Sequence, residues 1–138
     1  MKIDIGPDGV ILCTLKLRHN GNEREVRNLV LDTGAAETII YRHAVKELGI
    51  YLEETDEFVF MRGIGGREPA FRKTMESVKF LDFCAVNFPI DFGDSEEDEV
   101  MDSTVDEEVV NGLLGLDVLS AGGFVIDLES MEIYQKTL

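Results

Sequence analysis

The sequence predicts a single all-β domain with one or two short helices, and three observations predict it. Between Val10 and Arg18, the positions Ile11, Cys13, Leu15 and Leu17 alternate with Leu12, Thr14, Lys16 and Arg18, the period of a strand with one buried face. Asn20-Gly21 follows within His19–Asn22, the strongest short hairpin signal. Near the other end, Phe124 to Asp127 and Met131 to Gln135 read as two strands around a Glu129-Ser130 turn. The 138 residues suit one domain, spanning 1–138, and 44% hydrophobic residues are enough for a buried core. No interdomain linker and no repeat of 20–50 residues is visible.

The remaining elements follow in order. A second strand returns through Glu23 to Leu31 and runs into Asp32-Thr33-Gly34-Ala35. Thr38-Ile39-Ile40 is a short extended piece. Tyr41 to Leu48 places Ala44, Val45 and Leu48 three and four apart, with Gly49 behind them as a C-terminal cap, which predicts a short helix. Phe58 to Met61 predicts a strand leading into the tip Arg62-Gly63-Ile64-Gly65-Gly66. A returning strand starts at about Ala70, and Ser77 to Pro89 is rich in Val and Phe. Residues 91–108 hold ten acidic residues and no basic one, which predicts a mobile acidic loop. Order resumes at Val109, and Gly122-Gly123 breaks the apolar run that ends at Leu119.

Charge and cysteines narrow the function classes. With 28 acidic residues against 13 basic ones the formal net charge is −15, which argues against nucleic acid or an anionic membrane surface as partner. No apolar run approaches the roughly 18 residues of a membrane helix, and MKIDIGPDGV lacks the apolar core of a signal peptide, so a cytoplasmic protein is expected. Cys13 and Cys84 form neither a CxxC metal site nor a disulfide framework and are read as small core hydrophobes. His19 belongs to a turn and His43 to the solvent side of the predicted helix. Asp94, Asp98 and Asp102 lack the glycine and terminal glutamate of a calcium loop, and no Lys-Ser/Thr follows the glycine-rich tip, so neither a metal nor a nucleotide cofactor is expected.

The chemically informative feature is Asp32. Three large aliphatic residues, Leu29-Val30-Leu31, deliver a carboxylate onto a tight Thr-Gly turn. An ionised acid in such a place needs hydrogen bonds, and Gly34 lets a backbone amide come close enough to donate one. A carboxylate held rigidly against apolar walls is a candidate general acid or base. The segment Leu29 to Thr38 resembles the active-site segment of retroviral-type aspartic proteases, the retropepsins, and their cellular and bacterial relatives. Arg62 to Gly66 resembles the glycine-rich flap of that family, Leu113-Leu114-Gly115 its hydrophobic element beneath the catalytic loop, and Leu116 to Leu119 its short helix. The ordered set spans about residues 8 to 136.

The resemblance implies an all-β, closed barrel-like retropepsin fold and an aspartic endopeptidase. Asp32 would be the catalytic acid and base, Thr33 would brace two such loops across a dimer axis, and Gly34 would serve the carboxylate and the substrate. Ala35, Ala36, Gly63, Ile64, Gly65, Gly66 and Leu114 would contact an extended peptide, with Glu37 and Ile40 as further pocket positions. Two carboxylates sharing one proton are needed. The chain has one Asp-Thr-Gly; Asp102-Ser103-Thr104 lacks the glycine, and Asp8-Gly9 is a plain turn. The second acid is therefore expected from Asp32 of an identical subunit in a two-fold homodimer. Ala36 and Leu116 stand where viral enzymes carry an acid and an arginine, the chain ends do not match the viral terminal strands, and Ala35 offers the acid pair no hydroxyl. The alternative from another class is a catalytically silent dimerisation or peptide-binding module on the same fold.

Overall fold

The computed structural model describes residues 1–63, 66–94 and 109–136. Among the described residues nine strands are β1 (Leu12–His19), β2 (Asn22–Leu31), β3 (Ile39–Tyr41), β4 (Glu57–Gly63), β5 (Gly66–Phe80), β6 (Phe83–Gly93), β7 (Gly112–Leu114), β8 (Phe124–Asp127) and β9 (Glu132–Gln135), with a 3-10 helix (Arg42–Leu48) and one α-helix, α1 (Leu116–Ala121). Six of them, in the order β1-β2-β7-β3-β6-β5, close on themselves through a β1–β5 pairing, and β4 continues from β5 as an outer strand. The result is a closed six-stranded barrel with a β8-β9 hairpin beside it. Closure removes the open sheet edges that a flat sheet of this size would expose.

The alternation in β1 works as expected: Cys13, Leu15 and Leu17 are buried, and Leu12 and Arg18 are exposed. Asn20 and Gly21 both take positive φ, 52° and 80°, and close the β1–β2 hairpin at the His19↔Asn22 pair. That is the twist a two-residue turn requires to match its strands. A register shift between Cys13 and Leu15 bends β1, so that one strand can pair with β2 along its length and with β5 at Lys16, Leu17 and Arg18. The core is a single cluster in which Leu15, Leu17, Leu29, Ile40, Met75, Phe92, Leu114 and Ile133 have no accessible surface.

The short helix expected over Tyr41 to Leu48 is present as a 3-10 helix at Arg42–Leu48, interrupted at Val45 (φ −128°, ψ 22°), whose β-branched side chain is wholly buried. Gly49 ends it in the left-handed conformation, its N–H donating to the Lys46 carbonyl at 3.2 Å. Two boundaries need correction. The strand that returns from the glycine-rich tip begins at Gly66, four residues before Ala70. Asp91 and the two residues after it belong to β6, not to an acidic loop; Asp91 pairs in register with Arg72 and is 5% exposed. Residues 95–108 of that acidic stretch lie outside the described residues, as do Ile64 and Gly65.

The cysteines separate. Cys13 is buried, its thiol donates to the Leu29 carbonyl at 3.3 Å, and burial pushes its pKa up to about 12. Cys84 in β6 is exposed, so it is not a core residue. A thiol-specific disulfide reagent at pH 8 is therefore expected to modify one thiol per native chain, at Cys84, and the second only on denaturation. Rapid modification of both would contradict this packing.

The stretch before β4 is pinned by a second buried contact. Lys73 of β5 meets Asp56 at 2.8 Å, both side chains nearly inaccessible (7% and 8%), with Glu53 at 3.5 Å. Burial alone would raise the Asp56 carboxyl. The Lys73 hydrogen bond, the Glu53 backbone N–H and the Lys73 charge together outweigh it and hold the carboxyl below its ordinary value. A depressed folded-state pKa means the stabilisation is complete above the unfolded carboxyl value of about 4 and drains away as pH falls through the folded one. Thermal melts from pH 6 to pH 2 should therefore show a steeper fall for the wild type than for a Lys73→Met/Asp56→Leu double variant. Parallel curves would show that the pair contributes nothing to acid sensitivity.

Candidate active site

β2 is buried at Leu29 and ends at Leu31, where the chain leaves the barrel wall. It runs parallel to β7, with Leu31 opposite Leu114, and the next amide, that of Asp32, donates to the Leu114 carbonyl at 2.9 Å. The chain then turns tightly: the Ala35 N–H reaches the Asp32 carbonyl at 3.1 Å, and the Gly34 N–H donates to Asp32 Oδ1 at 2.9 Å. A Cβ on Gly34 would sit 3.1 Å from that same oxygen. The expected amide-to-carboxylate contact is thus present. Asp32 is half-exposed and Thr33 and Gly34 are exposed, so the acid is presented at the surface rather than sealed in the barrel. Among the described residues no hydrogen bond or ion pair joins Asp32 to a second carboxylate.

What holds this turn is a network the sequence did not reveal. Thr38 is completely buried. Its hydroxyl donates to Asp117 Oδ1 at 2.6 Å and accepts the Gly115 N–H at 3.0 Å, while its own N–H donates to Asp117 Oδ2 at 2.9 Å. The Asp117 carboxylate also takes the Val118 N–H at 2.8 Å. The Leu116 and Asp117 amides reach back to the carbonyls of Ala35 and Ala36 at 2.8 and 3.1 Å. The start of α1 and the segment behind Asp32 are therefore stitched together on both sides. Gly115 is what permits such an approach, since a Cβ there would come within 2.7–2.8 Å of the Glu37 and Ala35 backbone. The available clue was two polar residues in apolar company: Thr38 before Ile39-Ile40, and Asp117 between Leu116 and Val118.

β7 is held equally close. Gly112 sits at φ +150°, and a Cβ on it would run into the Ile39 carbonyl oxygen. Gly112→Ala is accordingly expected to lower stability by about 2–4 kcal/mol, read by urea unfolding, through strain at one of the strands that anchor Asp32. A loss below about 0.5 kcal/mol would mean that β3 and β7 can part freely.

A charged row borders the same loop. Glu57, Arg72 and Asp91 are in register across β4, β5 and β6. Arg72 makes two hydrogen bonds to Asp91, at 2.8 and 3.2 Å, and lies 3.6 Å from Glu57 and 3.8 Å from Glu37. The Asp91 hydrogen bonds, against the cost of burial, hold the Arg72 guanidinium above its ordinary value. Glu37, five residues beyond Asp32, is thus linked to the hairpin of β4 and β5.

The remaining site expectations divide. Ala35 and Ala36 flank Asp32 with part-exposed and exposed side chains. Gly63 and Gly66 are paired at the end of the β4–β5 hairpin. Leu114 is fully buried in the core, as is Ile40, so their side chains pack beneath the loop and are not available to a substrate. Leu114 supports the site through its carbonyl instead. No group of three or more potential metal-ligating side chains is found among the described residues.

The model of the family described as aspartyl protease matches residues 15–118, three quarters of the chain and everything from β1 into α1. The chain belongs to the aspartyl protease family. Its Asp32-Thr33-Gly34 turn, the glycine-rich tip and Leu113-Leu114-Gly115 all fall inside the matched span. Among solved structures, this aspartyl protease chain is similar to a retropepsin-like aspartic protease from Rickettsia conorii, with a TM-score of 0.63 and 20% identity over 97% of each chain. That likeness establishes the retropepsin fold for this family member. A search of the curated proteins finds no match.

Proposed function

We propose that the chain is an aspartic endopeptidase that hydrolyses peptide bonds with a water activated by two Asp32 carboxylates, one from each subunit of a homodimer. The observation that carries this reading is the Asp32 turn itself: a surface-presented carboxylate whose Oδ1 is held by the Gly34 amide at 2.9 Å, on a loop locked from behind. Family membership supports the reaction class. One such turn per chain supports the dimer, because an isologous interface brings the same residue to both sides of the axis.

In that dimer the ionised carboxylate takes a proton from the water while the protonated one hydrogen-bonds the scissile carbonyl; two like charges at that distance do not both ionise. Thr33 braces the paired loops, and the β4–β5 hairpin closes over an extended peptide, which is read by main-chain pairing. Ala36 and Leu116 provide no ion pair to steady the interface, so the dimer relies on other contacts. The test is cleavage of a peptide library, inhibition by a statine-type transition-state mimic, and sedimentation of the active species. Cleavage that is lost on dilution below the dimer dissociation constant supports the reading; binding of extended peptides with no cleavage would leave a silent module.

Two expectations accompany it. Ala35 gives the acid pair no hydroxyl donor, so less stabilises its anion, and the pH–rate profile should peak at about pH 5–7; a peak near pH 2 would contradict it. Two chains of −15 bring −30 together, so sedimentation should show tighter dimers as ionic strength rises from about 10 to 150 mM. An unchanged dissociation constant would mean the charges lie far from the interface.

A further inference from the structure

An open cavity of about 470 Å³ lies beside the 3-10 segment, away from Asp32, lined among others by Arg42, His43, Lys46, Tyr51 and Asp94. Its size falls within the range of small-molecule sites. Its charge runs against that of the chain: two permanent cations face one carboxylate, on a molecule of net charge −15. Several other cations are committed, as Arg24 is to Glu47, Arg72 to Asp91 and Lys73 to Asp56. Lys46 has no ion pair among the described residues. Arg42 meets Asp94 only at 3.5 Å, with both side chains well exposed (46% and 65%), a contact worth little and easily exchanged for a better anion.

The wall between them is preset. Asn111 Nδ2 donates to the Arg27 carbonyl at 2.7 Å, which turns its Oδ1 toward His43 Nε2 at 2.9 Å, and the His43 ring is tilted against Tyr41 at 6.1 Å. Arg42 offers the planar donor fork that suits a tetrahedral oxyanion, and Lys46 a second point charge. The exposed Tyr51 ring provides an apolar flank. We propose that this cavity binds a phosphate-bearing small molecule, its oxyanion held between Arg42 and Lys46 in place of Asp94 and its organic part against Tyr51. The site does not depend on the proteolytic reading. The Arg42 guanidinium also lies 5.9 Å from the centre of the Phe71 ring, and Phe71 pairs with Phe58 of β4, so Arg42 connects the site to the base of the hairpin that borders Asp32.

The experiment is titration of the full chain, at fixed ionic strength, with inorganic phosphate and with phenyl phosphate, followed by calorimetry and amide chemical shifts. Saturable shifts at Arg42, Lys46 and Tyr51 are expected, with affinity about fivefold weaker in Lys46→Gln and stronger in Asp94→Asn. Tighter binding of phenyl phosphate than of phosphate supports an organic phosphate; equal affinities would overturn the part assigned to Tyr51. No saturable shift up to about 50 mM, a millimolar-scale limit, or binding indifferent to Lys46→Gln, would overturn the site. So would binding seen only after Glu96, Glu97, Asp98 and Glu99 are replaced by their amides, since the chain's own acids would then be the ligand.

Discussion

Asp32→Asn is expected to lower peptide cleavage by about 10³-fold, the scale on which removing a general acid–base group acts, while leaving fold and association intact. The replacement is isosteric, and its side-chain oxygen can still accept the Gly34 amide now received by Asp32 Oδ1. The melting temperature should therefore move by no more than a few degrees. A mixing experiment sharpens the test. If each site needs one Asp32 from each of two chains, an equimolar mixture of wild type and variant that has exchanged subunits retains about one quarter of the activity of an all-wild-type sample of the same total concentration. If a single chain sufficed, about half would remain. Retention of half, or a variant above a tenth of wild-type activity, would sink the shared-site mechanism.

Thr38→Val should have the largest effect on stability among changes to polar side chains near the site. Valine fills the same space but removes one hydroxyl that serves two partners, Asp117 Oδ1 and the Gly115 N–H. Thr38 has no accessible surface, so water cannot easily replace it. Leaving a buried amide unsatisfied and a carboxylate short of a donor costs about 2–4 kcal/mol. That loss would appear as a fall of roughly 10 °C in melting temperature for a domain of this size. Thr38→Ser keeps the hydroxyl and should restore most of it. If Thr38→Val lost less than about 1 kcal/mol, the network would not be what braces the loop.

The parts of the fold that were legible are those in which one residue's requirement is local. The alternation of Cys13, Leu15 and Leu17 needs only a strand with one wet face, and Asn20-Gly21 only a turn with two positive φ angles. The Asp32 turn was legible for the same reason: three aliphatic residues, an acid, and a glycine two positions on already define an amide within reach of a carboxylate. The short helix over Tyr41 to Leu48 was legible from its apolar spacing and Gly49, but that spacing does not distinguish an α-helix from the 3-10 helix, kinked to bury Val45, that forms there. Asp91 was grouped with its acidic neighbours because its partner, Arg72, is nineteen residues earlier and meets it only through the β5–β6 register. Leu114 was placed with the substrate contacts, whereas the parallel pairing of β7 with β2 turns it into the core.

The sequence settles family membership, because the identity and order of residues around Asp32, in the glycine-rich tip and at Leu113-Leu114-Gly115 can be read without any partner. It also determined the strand-rich architecture, because alternation and turn residues act over a few positions. Only the tertiary structure decided how Asp32 is held. Thr38, Gly115 and Asp117 come from segments nearly eighty residues apart, and nothing along the chain couples them until β2, β7 and β3 are laid side by side. A hydrogen bond depends on distances of a few tenths of an ångström, and contacts of that kind are set by register and barrel closure, not by local preference.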